Sequence, residues 1–237
     1  MPTPLTPTLL LILDGWGQAP AGPGNAVSLA ATPNIDALMT LPSRTELQCS
    51  GRAVGLPSGY MGNSEVGHMN SGAGRIVYQD MTRIDITLED GSFERNPVIA
   101  ETIAAAKKSG GALHLLGLLS DGGVHSHINH LFALLDAAAN AGVPAAVHAF
   151  MDGRDTAPDS GVEFMRQLAA KIGPSARIAS VSGRYYAMDR DKRWDRTQKA
   201  WDALVNGKAP VFPDAIAAVQ AAYTAGETDE FIKPCLI

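Results

Sequence analysis

Short apolar segments alternate with helical patterns along this 237-residue sequence. Strands that alternate with helices predict an α/β protein with a mostly parallel sheet. The apolar segments with the length of buried strands are residues 8–13, 44–49, 113–119, 145–150 and 178–181. Helical patterns cover residues 33–40, 99–108, 128–141, 162–172, 192–205 and 215–225, and a further helix is predicted to start near Ser64.

The composition is that of a globular protein, with 46% hydrophobic and 18% charged residues. A net charge of −5 without a run of Lys or Arg argues against a nucleic-acid partner. Asp14 ends the apolar segment 9–13, which is too short to cross a membrane, so we expect no membrane partner. Two distant cysteines, Cys49 and Cys235, favour free thiols over a disulfide. We therefore expect a cytoplasmic protein.

Polar, glycine-rich loops follow four of the predicted strands. In an open α/β sheet the ligand-binding residues lie in loops at the carboxyl ends of the strands. These four loops are therefore the predicted location of functional side chains. They comprise residues 14–17, 120–125, 151–155 and 182–185.

Asp14 and Ser64 are candidates for metal and phosphoryl chemistry. Asp14 could ligate a hard divalent cation, or it could only cap the Asp-Gly bend. Ser64 could be a helix N-cap, or its hydroxyl could face a phosphate bound at the helix N-terminus. A serine hydroxyl is a weak nucleophile until a base or a metal lowers its pKa. Activation by a metal held partly by Asp14 is the simplest route.

Three histidines, His125, His127 and His130, form a His-x-His-x-x-His pattern. The spacing invites a zinc interpretation, but no cysteine or carboxylate ligand pattern accompanies it. His125 lies in the loop and could contact an anion or a substrate. The other two could share one helix face or be solvated or core residues.

Arg154 and Asp155 follow the predicted strand 145–150. Adjacent opposite charges on a loop are usually solvated and contribute little to stability. At a strand end, however, an arginine can bind phosphate through two hydrogen bonds, and an aspartate can act as a general acid or base.

Arg184 and Arg190 flank a short tyrosine-containing segment. Two arginines at this spacing could bracket a carboxylate or a phosphate. They could equally pair with Asp189 and Asp191 on a surface turn. The residues alone leave both interpretations open.

Several of these motifs resemble the 2,3-bisphosphoglycerate-independent phosphoglycerate mutase family, in order from Thr8 to the last residue. Gly-Asn-Ser-Glu-Val-Gly-His at 62–68 combined with Asp-Gly-Arg-Asp at 152–155 is highly specific. Tyr60 and Trp201 replace residues that are more often Gln and Tyr in the family. The segments that carry the resemblance are 13–17, 59–68, 72–75, 120–127, 148–156 and 183–194.

The resemblance implies an alkaline-phosphatase-like metal domain with an α/β phosphotransferase domain inserted in it. Residues 1–77 would form the N-terminal part of the metal domain. Residues 78–237 would belong to the inserted substrate domain, which would be incomplete at its C-terminal end. A monomer is also implied.

The resemblance further implies an isomerase of glycolysis and gluconeogenesis that interconverts 3-phosphoglycerate and 2-phosphoglycerate through a phosphoserine. Two divalent metal ions, Mn²⁺ or another, would be required, and 2,3-bisphosphoglycerate would not. Asp14 matches a metal ligand, Ser64 matches the nucleophile that also touches metal, and Asp155 matches a residue that can help to move protons. The residues that match phosphoglycerate contacts are His125, Arg154, Asp155, Arg184 and Arg190.

Chains of this family are longer than this sequence, and their remaining metal ligands, further arginines and a lysine would lie beyond Ile237. We therefore expect the 237 residues alone to be an inactive fragment. Two alternatives stay open. One is another phosphomutase or hydrolase of the alkaline phosphatase superfamily, and the other is a non-catalytic fragment that binds phosphoglycerate.

Overall fold

The computed structural model describes residues 7–237, which fall into two compact units. The first unit ends at Thr82, and the second comprises Arg83–Ile237. Among the described residues, no helix combines the length and the apolar character that crossing a bilayer requires.

The first unit contains short helices joined by long irregular segments. Its helices are α1 (Ala26–Leu29), α2 (Pro33–Leu38) and α3 (Ser64–Ala73), with a 3₁₀ turn at Gly51–Val54. Two asparagines fix helix starts, because the side chain of Asn25 accepts a hydrogen bond from the Ser28 N–H and that of Asn63 accepts one from the Val66 N–H. The predicted helices near residue 33 and at Ser64 are thus confirmed.

The strands predicted at residues 8–13 and 44–49 do not form. Leu9 and Leu10 are 85% and 77% exposed, so the apolar segment is not a buried strand. An extended segment becomes a strand only when a neighbour supplies hydrogen-bonding partners. Neither segment pairs with another strand among residues 7–237, and both predictions were wrong.

A four-stranded sheet organises the second unit, with strand order β1-β2-β3-β4. β1 (Leu113–Leu118), β2 (Ala145–Met151) and β3 (Ala176–Gly183) are parallel, whereas the short edge strand β4 (Cys235–Leu236) runs antiparallel to β3. The predicted α/β class with a mostly parallel sheet is confirmed here. β4 was not predicted, because a strand of two residues is too short for a periodic signal.

Helices connect the strands of the second unit. The helices of this part of the chain are α4 (Asp80–Glu89), α5 (Pro97–Ser109), α6 (Ile128–Asn140), α7 (Gly161–Lys171), α8 (Arg184–Ala187), α9 (Trp194–Leu204) and α10 (Ala215–Thr224). The predicted helices α5, α6, α7 and α10 pack against the sheet or against one another. The predicted helix α9 is also confirmed, whereas α4 and α8 were not predicted. Short 3₁₀ turns lie at Phe93–Arg95 and Asp229–Phe231.

The apolar core of the second unit lies between the sheet and these helices. Val147 and Val181 from the strands contact a cluster that includes Met165 and Leu168 from α7 and Val219 from α10, all nearly inaccessible to solvent. Burial of each such side chain stabilises the fold by about 1.5–3 kcal/mol. The core therefore holds the three parallel strands in fixed register, and their carboxyl ends bring three polar loops to one edge of the sheet.

Candidate functional site

The first unit brings Asp14 and Ser64 together. Ser64 is the first residue of α3, and its hydroxyl donates a 2.8 Å hydrogen bond to Oδ2 of Asp14. Asn63 is the N-cap of this helix, so the interpretation of Ser64 as the N-cap is wrong. A Cβ at Gly62 would lie 1.7 Å from the Cys49 carbonyl oxygen, so this close approach of two chain segments requires glycine just before the helix.

His68, one helical turn after Ser64, completes this cluster. Its Nδ1 lies 2.8 Å from the Ser64 carbonyl oxygen and 3.1 Å from the Ser64 Oγ. A carbonyl oxygen can only accept, so the tautomer with a proton on Nδ1 satisfies this contact. With that proton in place, Nδ1 cannot accept the serine proton. Asp14 is therefore the acceptor of the Ser64 hydroxyl.

Asp14 and Ser64 line an open cavity of about 380 Å³ together with His68. Their two oxygen atoms are the type of donor that a hard divalent cation takes, so both residues fit a metal. Within residues 7–237 no group of three or more His, Cys, Asp or Glu side chains is arranged to hold a metal ion.

A second cavity, of about 420 Å³, lies in the second unit. It collects four of the side chains that the sequence singled out, and they come from separate parts of the chain: His125, Arg154, Arg184 and Arg190. Asp155 lies beside them, with Oδ2 3.9 Å from Nε2 of His125. The remaining lining residues are Tyr185, Met188, Asp189, Asp191, Arg196, Glu230 and Phe231.

Asp152 holds Arg184, the residue that directly follows β3, in place. Nη1 of Arg184 donates to Oδ1 of Asp152 at 2.7 Å and to Oδ2 of Asp155 at 2.6 Å. Asp152 is 2% exposed and also accepts from the Ser120 hydroxyl and the Asp155 N–H. Burial alone would raise the pKa of Asp152, but these hydrogen bonds outweigh it and hold that pKa below its usual value.

The same contacts determine which arginines can reach a ligand. Burial alone would lower the pKa of Arg184, but Asp155 and Asp152 outweigh it and raise that pKa, so the guanidinium stays charged. Arg190 makes no hydrogen bond or ion pair with any residue in the described part of the chain. Arg154 is 55% exposed and has one ion-pair partner, Glu230, at 3.5 Å. Arg154 and Arg190 are therefore the available cations of the cavity.

Arg196 takes the partners that sequence proximity suggested for Arg184 and Arg190. Its Nη1 lies 3.2 Å from Asp189 and 3.5 Å from Asp191, and its guanidinium stacks 3.8 Å from the centre of the Tyr185 ring. The interpretation in which Arg184 and Arg190 pair with Asp189 and Asp191 is therefore wrong. Arg196 was not predicted as a cavity residue, because it lies in a predicted helix and belongs to none of the motifs considered.

The three histidines have separate partners. His127 is the N-cap of α6, and its Nδ1 accepts from the Asn129 N–H. His130 Nε2 lies 2.8 Å from Oδ1 of Asp85. Burial, with a smaller effect of His130, lowers the pKa of His127. Only His125 faces the cavity, so the structure gives the zinc interpretation no support.

Known proteins resemble this chain over most of its length. A family model described as BPG-independent PGAM N-terminus matches residues 84–237. The 2,3-bisphosphoglycerate-independent phosphoglycerate mutase of Nitratidesulfovibrio vulgaris is 61% identical over 235 residues, 98% of this chain and 46% of that protein. That of Lawsonia intracellularis is 54% identical over 232 residues, 97% of this chain and 46% of that protein. The chain thus spans about half the length of the curated relatives it matches.

A solved structure shows the same likeness in three dimensions. It belongs to the crystal structures of Leishmania mexicana phosphoglycerate mutase at low cobalt concentration. The TM-score is 0.70 at 36% identity, and the match covers 94% of this chain and 43% of that one. Because the family model covers more than half of the sequence, the chain belongs to the family of BPG-independent phosphoglycerate mutase N-termini.

Proposed function

We propose that this chain is the N-terminal portion of a cofactor-independent phosphoglycerate mutase, which interconverts 3-phosphoglycerate and 2-phosphoglycerate through a phosphoserine at Ser64. The observation that carries the proposal is the convergence of His125, Arg154, Arg184 and Arg190 on one cavity. The names of the relatives, all 2,3-bisphosphoglycerate-independent phosphoglycerate mutases, point to the same reaction.

The cavity of the second unit suits a ligand with a phosphate and a carboxylate. Arg154 and Arg190 present guanidinium groups, each of which can bind an oxyanion through two hydrogen bonds. Arg184 is held by two aspartates and adds a third positive charge. Its guanidinium is already in place before a ligand binds, so binding does not have to order it. Asp155 and His125 lie 3.9 Å apart beside the arginines, and we propose that this pair moves a proton to or from a substrate hydroxyl.

We propose Ser64 as the acceptor of the phosphoryl group. Its hydroxyl donates to Asp14, whose carboxylate orients the Oγ and favours loss of its proton. A phosphate on Ser64 would lie at the N-terminus of α3, where free backbone N–H groups and the helix dipole stabilise negative charge. In the proposed reaction Oγ displaces glycerate from the phosphorus. The arginines and His125 retain glycerate until its other hydroxyl takes the phosphate back.

Asp14 and Ser64 would hold part of a centre of two divalent metals, which we propose are Mn²⁺. Bound there, the metals would lower the pKa of the Ser64 hydroxyl and neutralise charge on the phosphoryl group. Two ligands are fewer than a divalent cation takes. We therefore expect no mutase activity from the 237 residues alone.

The domain assignment is part of the same proposal. Residues 1–77 would be the N-terminal part of an alkaline-phosphatase-like metal domain, and residues 78–237 part of a phosphotransferase domain that binds substrate. The units of the structure divide at Thr82, close to this boundary. We also propose that the protein acts as a monomer in the cytoplasm.

A chimera tests the proposed reaction. Residues of the Nitratidesulfovibrio vulgaris mutase that match this chain are replaced by the chain, and turnover of 3-phosphoglycerate is followed with Mn²⁺ and enolase. We expect mutase activity in the chimera, a loss of at least about 10³-fold in Ser64→Ala and a loss of about 10–100-fold in Arg190→Ala. Near-normal activity of the Ser64→Ala chimera would refute the phosphoserine route. Phosphate release or ribose phosphate turnover without mutase activity would favour another alkaline phosphatase superfamily enzyme.

A further inference from the structure

The 3₁₀ turn Asp229–Phe231 and the following Ile232 lie against two glycines, Gly153 and Gly183, beside the phosphoglycerate cavity. A Cβ at Gly153 would meet the Asp229 Cβ at 2.8 Å and the Glu230 nitrogen at 2.9 Å. A Cβ at Gly183 would meet the Glu230 carbonyl oxygen at 2.3 Å. These glycines directly precede Arg154 and Arg184. The turn is therefore part of the frame that positions both arginines, a role that no sequence motif indicated.

Buried hydrogen bonds fix this turn. Asp229 is completely buried, and its carboxylate accepts from the Gly161 N–H at 2.7 Å and from the Tyr223 hydroxyl at 2.5 Å. The Asp229 N–H donates to the Pro158 carbonyl oxygen at 2.8 Å. One turn with three anchors of this kind cannot shift without breaking buried hydrogen bonds. The side chain that follows Asp229 is therefore held in one place.

That side chain is Glu230, and it faces the cavity. It is 20% exposed, and its Oε1 lies 3.5 Å from Nη1 of Arg154. A carboxylate in a site for a ligand with a phosphate and a carboxylate opposes binding, because like charges brought together without a counter-charge repel. The Glu230 carboxylate favours binding only if it positions a cation before the ligand binds and then accepts a hydrogen bond from the ligand.

We propose that Glu230 is a specificity-determining residue of the cavity. In the free protein it pairs with Arg154 and so weakens the binding of simple anions. When an anionic group of the substrate takes Arg154, Glu230 accepts a hydrogen bond from a hydroxyl of the glycerate moiety. The inference rests on the proposed function, and it adds selection for a hydroxylated substrate over an anion of the same charge.

The test compares two ligands that differ only in that hydroxyl. The probes are 3-phosphoglycerate and 3-phosphonooxypropanoate, its analogue without the 2-hydroxyl, and their dissociation constants for the 237-residue chain are measured by calorimetry at pH 8. Wild type should prefer 3-phosphoglycerate. In Glu230→Gln the analogue should bind about fivefold more tightly, the equivalent of about 1 kcal/mol. The dissociation constant of 3-phosphoglycerate should improve much less, because a charge-assisted hydrogen bond is lost. The preference should therefore fall.

Glu227→Gln is a matched control. Glu227 lies three residues before Glu230, is also 20% exposed and pairs with Lys233, but it does not line the cavity. This variant makes the same chemical change and should keep the wild-type ratio of the two dissociation constants. A purely structural effect of Glu230→Gln would change both constants by the same factor.

The outcomes separate this inference from the proposed function. One outcome refutes the role of Glu230 alone. In it, wild type binds 3-phosphoglycerate and Arg190→Ala abolishes this binding, so the substrate site is supported. Glu230→Gln, however, leaves the ratio of the two dissociation constants unchanged. If wild type does not bind 3-phosphoglycerate, or if Arg190→Ala has no effect, both proposals fail. A loss of preference for 3-phosphoglycerate over its analogue that is confined to Glu230→Gln supports the inference.

Discussion

Replacement of Asp152 by asparagine should destabilise the second unit, although the two side chains have nearly the same shape. Asp152 is 2% exposed and accepts hydrogen bonds from the Ser120 hydroxyl, the Arg184 guanidinium and two backbone N–H groups. An amide oxygen can keep the contacts made at Oδ1, and the amide nitrogen can donate to Ser120. What Asp152→Asn removes is the negative charge beside a buried guanidinium.

The size of the effect follows from the remaining partner of Arg184. Removal of one member of a buried ion pair costs about 3–5 kcal/mol when the other charge is left alone. Here Asp155 stays 2.6 Å from the same Nη1 atom, so part of the compensation survives. A charge-assisted hydrogen bond contributes about 1.5–3 kcal/mol, more than a neutral one. We expect Asp152→Asn to lower the free energy of unfolding by about 2–3 kcal/mol.

Hydrogen exchange of the β2 amides measures this change in the second unit alone. A loss of 2–3 kcal/mol should speed exchange of strand amides that open only on global unfolding by about 30- to 150-fold. Asp136→Asn is the control, because Asp136 pairs with Lys171 at the surface and its side chain is 54% exposed. That variant should change the free energy of unfolding by less than about 1 kcal/mol. Equal exchange rates in the two variants would refute the role given to the Asp152 charge.

The effect of Asp152→Asn should depend on pH. The pKa of Asp152 is lowered in the folded protein, so its stabilisation is fully present above the unfolded-state pKa of about 3.9. That stabilisation is lost as the pH falls through the folded-state pKa. The stability difference between wild type and Asp152→Asn should therefore be constant from about pH 5 to 8 and shrink below about pH 4. A difference that grows on acidification would contradict the assigned sign.

Two further predictions concern packing and thiol reactivity. Gly183→Ala should destabilise the second unit by about 1–3 kcal/mol, because the new Cβ would lie 2.3 Å from the Glu230 carbonyl oxygen. It should also weaken 3-phosphoglycerate binding. Urea unfolding measures the loss of stability, and calorimetry measures the loss of binding. Gly173→Ala, where a Cβ meets no atom within 4 Å, is its control, and equal stabilities would argue against the steric explanation. Burial raises the pKa of Cys235 to about 11, so at pH 8 a thiol reagent should modify exposed Cys49 and leave Cys235 unmodified until the protein unfolds. Rapid modification of Cys235 in the folded chain would contradict this burial.

The second unit could be predicted well from the sequence because its signals are local. Helix α5 shows why: a helical pattern predicted residues 99–108, and the helix forms over Pro97–Ser109, between the N-cap Asn96 and Gly110 in the left-handed region. The apolar segments of β1 to β3 have the length of buried strands and lie between such helices. Periodicity and end signals together were enough to place these elements.

Strand formation in the first unit could not be predicted in the same way. Residues 8–13 have the composition of a buried strand, but a strand depends on pairing with a distant segment. The composition of a segment indicates only the tendency of its backbone to be extended. The same limit explains the missed β4, which is defined by its antiparallel pairing with β3 at Val181 and Cys235.

The candidate site was predictable in its location and less so in its contacts. Loops at the carboxyl ends of parallel strands had to meet, and this brought His125, Arg154 and Arg184 to one cavity. The partners of each charge were not predictable, because proximity in the sequence suggested Asp189 and Asp191 for Arg184. The structure instead pairs Arg184 with Asp152 and Asp155, 32 and 29 residues away.

Binding of 3-phosphoglycerate to the second unit tests the central claim most directly. Isotopically labelled chain is titrated with this ligand, and the backbone and side-chain resonances are followed by NMR. We predict saturable shifts concentrated at His125, Arg154 and Arg190 and their loops, and the loss of these shifts in Arg190→Ala. The absence of saturable shifts, or shifts that survive unchanged in Arg190→Ala, would contradict the assignment of this cavity as the phosphoglycerate site.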